Sequence, residues 1–168
     1  MNIYKFHTNP ESLDFYKERL TKVPQFAYEH AKSLGRRFPE GEAAIAKDPY
    51  SAYYYAKDVI KGRWPEGEAA IAKDARYAYL YAKGFIKGRW PEAEAVMAKD
   101  TEYAYYYARD FIKERWPEGE AAIAKDAYYA YYYAERVIRG RFPEGEAAIK
   151  AKGGHWKSEY ERKFNVKL

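Results

Sequence analysis

Acid–base catalysis needs two carboxylates at close quarters, and the chain carries five Pro-Glu-x-Glu runs, from Glu40 and Glu42 to Glu144 and Glu146. A catalytic centre is single, whereas these pairs recur, each just behind a proline. Acidic side chains in the first turn of a helix answer its dipole and pair with cations, which explains five copies better than catalysis does. The histidines His7, His30 and His155 lie in different regions without metal-ligand spacing. His30 replaces a tyrosine of the repeat described below and reads as a core-edge residue. There is no phosphate-binding loop, dinucleotide fingerprint, nucleophile elbow or zinc-protease helix, and no cysteine for a disulfide, a thiolate metal site or a nucleophile. The reading is a protein that is not an enzyme and uses no metal or cofactor.

Binding chemistry is better represented. Twenty tyrosines stand against eight phenylalanines, and the net charge is +5, with most of the excess at the two ends. Cations interleave with tyrosines: Tyr54, Lys57 and Lys61; Lys83 and Lys87; Tyr106, Arg109 and Lys113; then Tyr132. Such a row can track phosphates and stack bases, grip an acidic protein segment, or simply solvate a helix face. Neighbouring positions vary between copies, as Tyr50-Ser51, Arg76-Tyr77, Glu102-Tyr103 and Tyr128-Tyr129, and position 58 reads Asp58, Gly84, Asp110, Arg136. Variation where packing makes no demand marks a surface that can specialise. The candidate partner-binding residues are therefore Tyr54, Lys57, Lys61, Arg76, Tyr77, Lys83, Lys87, Tyr103, Tyr106, Arg109, Lys113, Tyr128, Tyr129 and Tyr132.

The elements that carry these residues repeat every 26 positions, from Arg37, Arg63, Arg89 and Arg115, with a partial copy at Arg141. Twelve residues, RWPEGEAAIAKD, recur unchanged at Arg63 and Arg115. Pro39 and its copies suit a first helical turn, which predicts a short helix over residues 39–47. Asp48, Asp74, Asp100 and Asp126 read as N-caps of a second helix, residues 49–61 in the first copy. Gly62, Gly88 and Gly140 are expected to supply a left-handed C-cap, with a different geometry where Glu114 takes that place. A projection at 3.6 residues per turn gathers Ala52, Tyr55, Ala56, Val59 and Ile60 on one packing arc, with Tyr53 at its edge. The shorter helix offers Ile45 with Ala43 and Ala46, and Trp64, Trp90 and Trp116 are expected to wedge between hairpins. Each Arg of the row Arg37 to Arg141 is expected to pair with a Glu of the row Glu42 to Glu146, in its own or the next hairpin.

A hairpin of this size cannot bury its apolar stripe alone, so stacking must supply the core. The fold expected is all-α, a right-handed-type α-solenoid of short helical hairpins in the spirit of TPR and Sel1 repeats. Residues 1–36 form a divergent capping hairpin, with a degenerate short helix over 11–20; 37–140 are four regular hairpins; 141–168 are a partial repeat and a polar capping helix. Together they are expected to make one continuous domain. The sequence has no signal-peptide or membrane-spanning run, which predicts a soluble cytoplasmic protein.

The repeat R-W-P-E-x-E-A-x-I-A-K-D, followed by Y-A-Y-x-Y-A-K-D-x-I-K-G and the ending Tyr160-Glu-Arg-Lys-Phe-Asn-Val, resembles tandem repeats in uncharacterised small proteins of tailed bacteriophages and some bacteria. The resemblance covers residues 37–168, with Leu80, Gly84 and Ala93 departing from the pattern, and implies no catalytic residues. It implies a phage accessory protein that binds and blocks or sequesters a host protein in the host cytoplasm. Two alternatives stand beside it: a nucleic-acid or nucleotide binder using the Lys, Arg and Tyr row, and a self-assembling structural repeat protein.

Overall fold

The structure, a computed structural model, describes residues 10–168, with side chains from Asp14 onward; His7 lies outside the described residues. It is all-α. The helices are α1 (Pro10–Lys22), α2 (Pro24–Leu34), α3 (Pro39–Ile45), α4 (Pro49–Tyr55), α5 (Pro65–Ile71), α6 (Ala75–Tyr81), α7 (Pro91–Met97), α8 (Thr101–Tyr107), α9 (Pro117–Ile123), α10 (Ala127–Tyr133), α11 (Pro143–Lys152) and α12 (Gly154–Phe164). The chain forms two compact units, Met1–Tyr77 and Ala78–Leu168. In the first, α3 packs on α1 and α2, and α4 packs on α2, α3 and α5. In the second, α9 lies against α8, α10 and α11, and α12 takes the longer-helix place beside α10 and α11. Within each unit successive hairpins thus stack in tandem, as in an α-solenoid.

Local chemistry sets the boundaries. Proline opens the short helices, and the N-cap aspartates accept from the backbone ahead: Asp48 from Ser51 N–H at 2.8 Å, Asp74 from Tyr77 N–H at 3.0 Å, Asp126 from Tyr128 N–H at 2.8 Å. The longer helices do not finish as α-helices. Residues Ala56–Ile60, Ala82–Ile86, Ala108–Ile112 and Ala134–Ile138 form π-helical turns, in which the Ala carbonyl accepts from the N–H five residues on, Lys113 to Ala108 at 2.7 Å for example. The left-handed residue is that donor, Lys61 (φ 58°), Lys87 (59°), Lys113 (63°) or Arg139 (55°), rather than the glycine that follows. This corrects the expectation for Gly62, Gly88 and Gly140. Glu114 in place of glycine changes nothing, because the residue before it already turns the chain.

Ala52, Tyr55 and Ala56 are fully buried as projected, while Val59 and Ile60, inside the wider turn, are half-buried. Ile45, Ile71, Met97, Ile123 and Ile149 are fully buried. Their alanine companions differ from expectation: Ala44, Ala70 and Ala122 face inward, whereas Ala43 is exposed and Ala46 half-buried. Trp64 does sit between one hairpin's longer helix and the next short helix, 4.8 Å from the Tyr55 ring. It lies so close over Gly67 that a Cβ there would stand 2.4 Å from its ring and 3.2 Å from Ala52.

One polar arrangement recurs through these hairpins. In the fourth copy Arg115 grips Glu120 through two nitrogens at 2.9 and 2.7 Å, Tyr133 donates to the same carboxylate at 2.9 Å, and the Trp116 N–H donates to the Tyr133 hydroxyl at 2.7 Å. Tyr55 does this for Glu42 and Phe38, Tyr107 for Glu94 and Trp90, and Tyr160, on the capping helix, for Glu146 and Phe142. The Arg–Glu rows therefore pair within each copy. The Glu42 carboxyl is held below its ordinary range, first by the hydrogen bonds from Arg37 and then, against the opposing effect of burial, by the one from Tyr55. Burial foremost, with the carboxylate beside them, pushes the Tyr55 and Tyr160 phenols from 10.0 up to about 12.

Removing one such hydroxyl leaves a buried N–H without its acceptor, so Tyr133→Phe is expected to lower stability by about 1–3 kcal/mol in urea unfolding, with Tyr132→Phe as a near-neutral control. A raised phenol pKa favours the neutral form in the fold, so this support is complete below pH 10.0 and is lost as pH rises towards about 12. An alkaline titration should show helical circular dichroism and phenolate absorbance changing together across that window. Ionisation of these tyrosines at the ordinary pKa with helices intact would contradict the assignment.

Candidate functional site: the tyrosine and cation face of the longer helices

Three consecutive aromatic positions on a helix point three ways, about 100° apart. Tyr55, Tyr107 and Tyr133 make the clamp just described. The tyrosine two places earlier, Tyr53, Tyr105 or Tyr131, is buried, and the middle one, Tyr54, Tyr106 or Tyr132, is half-exposed.

In the first unit the middle tyrosine joins a continuous aromatic patch. Tyr54 lies 4.7 Å from Tyr50, 5.1 Å from Tyr53, and 6.2 Å from both Tyr28 and Tyr77, measured between ring centres. Lys57 stands 5.6 Å over the Tyr54 ring and Arg76 5.9 Å over Tyr77. Four of the predicted residues, Tyr54, Lys57, Arg76 and Tyr77, are therefore together, with Tyr50 added.

In the second unit a larger patch forms. Tyr103 and Tyr106 each lie 5.8 Å from Tyr79, Tyr106 lies 6.1 Å from Tyr129, and Tyr129 lies 5.0 Å from Tyr128. Tyr128 and Tyr132 close the patch on Trp156 of α12, at 5.4 and 5.8 Å. Arg109 lies 5.0 Å over Tyr106 and Arg136 4.2 Å over Tyr132. Trp156 was missed by sequence reasoning, although aligning Tyr160 with Tyr133 places it on the position of Tyr129. Tyr128 is the most exposed of these tyrosines at 43 %, and Tyr50 is 38 % exposed. Beside Tyr129 an open groove is lined by both signs of charge, Lys99, Glu102, Lys125 and Asp126 among them.

The basic row does not behave as one surface. Lys83 turns to Tyr79 (3.1 Å) and to Asp110 (3.3 Å), and Tyr79 itself donates to Asp110 at 2.7 Å. Arg109 also binds Asp110, at 2.6 and 3.1 Å. Tyr28 and Lys32 make the same bolt to Asp58, at 2.7 and 3.2 Å. Burial, the largest influence, raises the Asp110 carboxyl, but hydrogen bonds from Arg109, Tyr79 and Lys83 together bring it down to about 2. Lys61, Lys87 and Lys113 are each exposed, at the left-handed positions that close the π-helical turns.

His30 lies half-buried with its ring 4.9 Å from Phe38, at the core edge as expected. His155 is exposed beside Trp156. Among the described residues no cluster of three or more His, Cys, Asp or Glu side chains is placed to hold a metal ion, and no helix is long and apolar enough to cross a membrane. Comparison with protein-family models, curated proteins and solved structures gave no match.

The left-handed lysines carry a steric cost that glycine would not. Lys113→Gly is expected to raise the urea midpoint, with a gain in unfolding free energy of up to about 1 kcal/mol after the added flexibility of the unfolded chain is subtracted. A lowered midpoint would show that the Lys113 side chain contributes more than its strain costs.

Proposed function

We propose that this protein is a non-enzymatic binding module that engages a protein partner through the tyrosine and cation face of its longer helices. The observation that carries the reading is the packed aromatic patch of each unit, Tyr50, Tyr54 and Tyr77 in one and Tyr106, Tyr128, Tyr129, Tyr132 and Trp156 in the other. Rings already held by their neighbours lose little entropy on binding, and tyrosine, tryptophan and arginine dominate protein interfaces energetically. The charge arrangement favours a protein over nucleic acid. Lys83 and Arg109, two members of the basic row, already share Asp110, which leaves less charge to displace counterions from phosphates. With the resemblance of its repeats to those of tailed-phage proteins, the module is proposed to act in the cytoplasm of an infected bacterium, blocking or sequestering a host defence protein.

The test is retention of lysate proteins from a phage-susceptible bacterium at physiological salt, with nuclease, by wild type and by the exposed-site variant Tyr50→Ser/Tyr128→Ser. A defined protein is expected to be retained by wild type and lost by the variant, whose helical circular dichroism stays unchanged. Loss of every retained protein on nuclease treatment would instead favour nucleic-acid binding, and equal retention by the variant would remove the tyrosine face from the interaction.

A further inference from the structure

Where both bolt positions between successive hairpins carry a charge, the charges are opposite in three places and alike in one. At α2–α4 the cation Lys32 faces Asp58, and at α6–α8 the cation Lys83 faces Asp110. At α10–α12 the signs are exchanged, with Glu135 accepting from Lys163 at 2.6 Å. At α8–α10 the corresponding residues are Arg109 and Arg136, both cations. Arg109 resolves this by turning back onto Asp110, while Arg136 rests on the Tyr132 ring with a long 3.4 Å contact to Glu135.

The tyrosine that should complete this bolt is Tyr105. Tyr28 and Tyr79, at the same repeat position, each donate to an aspartate at 2.7 Å. The Tyr105 residue is only 2 % exposed, and its buried hydroxyl finds no hydrogen-bond acceptor. A buried hydroxyl without an acceptor is costly, and here it sits beside two guanidinium groups, whereas Tyr28 and Tyr79 meet a carboxylate. Desolvation raises the Tyr105 phenol, while Arg109 and Arg136 both act in the opposite direction, which places both cations within electrostatic reach of the oxygen. Donors and positive charge meet at the Tyr105 oxygen, and neither Asp110 nor Glu135, held by the two arginines, accepts its proton.

We propose that the α8–α10 interface is a carboxylate-binding site, filled by an aspartate or glutamate side chain of the protein partner, which accepts from the Tyr105 hydroxyl and pairs with Arg136 and Arg109. The proposal rests on the protein-binding reading above. Arg136, whose side chain is 52 % exposed, swings from the Tyr132 ring to admit the carboxylate and then clamps it. The incoming group reproduces in trans what Asp110 does in cis for Tyr79 and Lys83. The site adjoins the aromatic patch through Tyr106 and Tyr129, whose rings lie 5.4 and 5.6 Å from Tyr105, so one acidic side chain flanked by apolar groups would engage both.

The test titrates the full chain with sodium acetate, sodium phosphate and, at matched ionic strength, sodium chloride, following arginine side-chain N–H resonances. Acetate is expected to shift the Arg109 and Arg136 signals saturably beyond the chloride control, and Tyr105→Phe to weaken this about tenfold, as loss of one hydrogen bond to a charged group does. Arg136→Asp supplies the missing carboxylate internally, so it should abolish the acetate response and raise the melting temperature together. A side chain with a merely structural role would not move those two readouts in opposite directions. The site is overturned if acetate acts only as chloride does, if phosphate binds and acetate does not, or if Arg136→Asp melts lower and binds acetate unchanged. With acetate binding established, capture of the same nuclease-resistant protein by wild type and Arg136→Asp alike would overturn the partner carboxylate while leaving protein binding intact. Absence of any captured protein would overturn the function itself.

Discussion

The tyrosine hydroxyl that joins a longer helix to a short one is the contact on which the hairpin geometry depends. Proline and an aromatic N-cap leave the start of each short helix with no side-chain oxygen of its own, and the N-cap N–H is buried. A buried N–H must find an acceptor, and the nearest is Tyr133 or its counterpart, seventeen residues on in the regular copies. That hydroxyl can accept only in one orientation, because its own proton goes to Glu120, which Arg115 holds from the other side. Each member fixes the next: arginine orients glutamate, glutamate orients the phenol, and the phenol sets the distance between the two helices. Exposed Arg–Glu pairs alone contribute little to stability. Their value here is positional, since they aim a buried group.

Given that clamp, the rest of the unit has little freedom. The ring of Trp64 or Trp116 folds back over the third residue of its helix, and glycine at Gly67 and Gly119 makes room for it. The alanines Ala52 and Ala104 on the preceding longer helix lie against the same glycines, so a side chain there would meet them too. With the position-55 tyrosine committed inward, its two predecessors fall on the interface and the surface by helical rotation alone. One hairpin design therefore yields a structural phenol, an interface phenol and an outward phenol from a single Tyr-Tyr-Tyr run, which accounts for the tyrosine-rich composition without any appeal to function.

Much of this was legible in the residues. The period, the proline starts, the aspartate caps and the Arg–Glu pairing all follow from local rules that act within a few residues. The π-helical endings were not, because a projection at 3.6 residues per turn assumes the winding it is meant to test. Glycine at Gly62 suggested the left-handed position, yet the wider turn closes one residue earlier and leaves Lys61 there. The inward alanine was misassigned from Ala44 to Ala43 and Ala46 for a related reason: a seven-residue helix has too few turns for its apolar face to declare itself. At the candidate site the aromatic patches were partly visible, as Tyr54 with Tyr77 and Tyr106 with Tyr129. The division of the cations was not, since Lys83 looks like Lys57 until Asp110 is seen beside it.

Position 58 shows how a repeat protein can acquire a unique site without abandoning its scaffold. Aspartate there bolts one hairpin to the last, as Asp58 and Asp110 do. Replacing it by Arg136 removes an acceptor, leaves the buried Tyr105 hydroxyl without one and sets like charges together, a loss that the clamp, made by other residues, can carry. Substitution at the clamp itself would disturb two helices at once. Variation is thus channelled to the bolt and to the outward tyrosine beside it, where a change in charge alters what the surface attracts while the backbone stays in place. A site made this way is an unmet demand of the fold, and the group that satisfies it best is the one the neighbouring copies already contain.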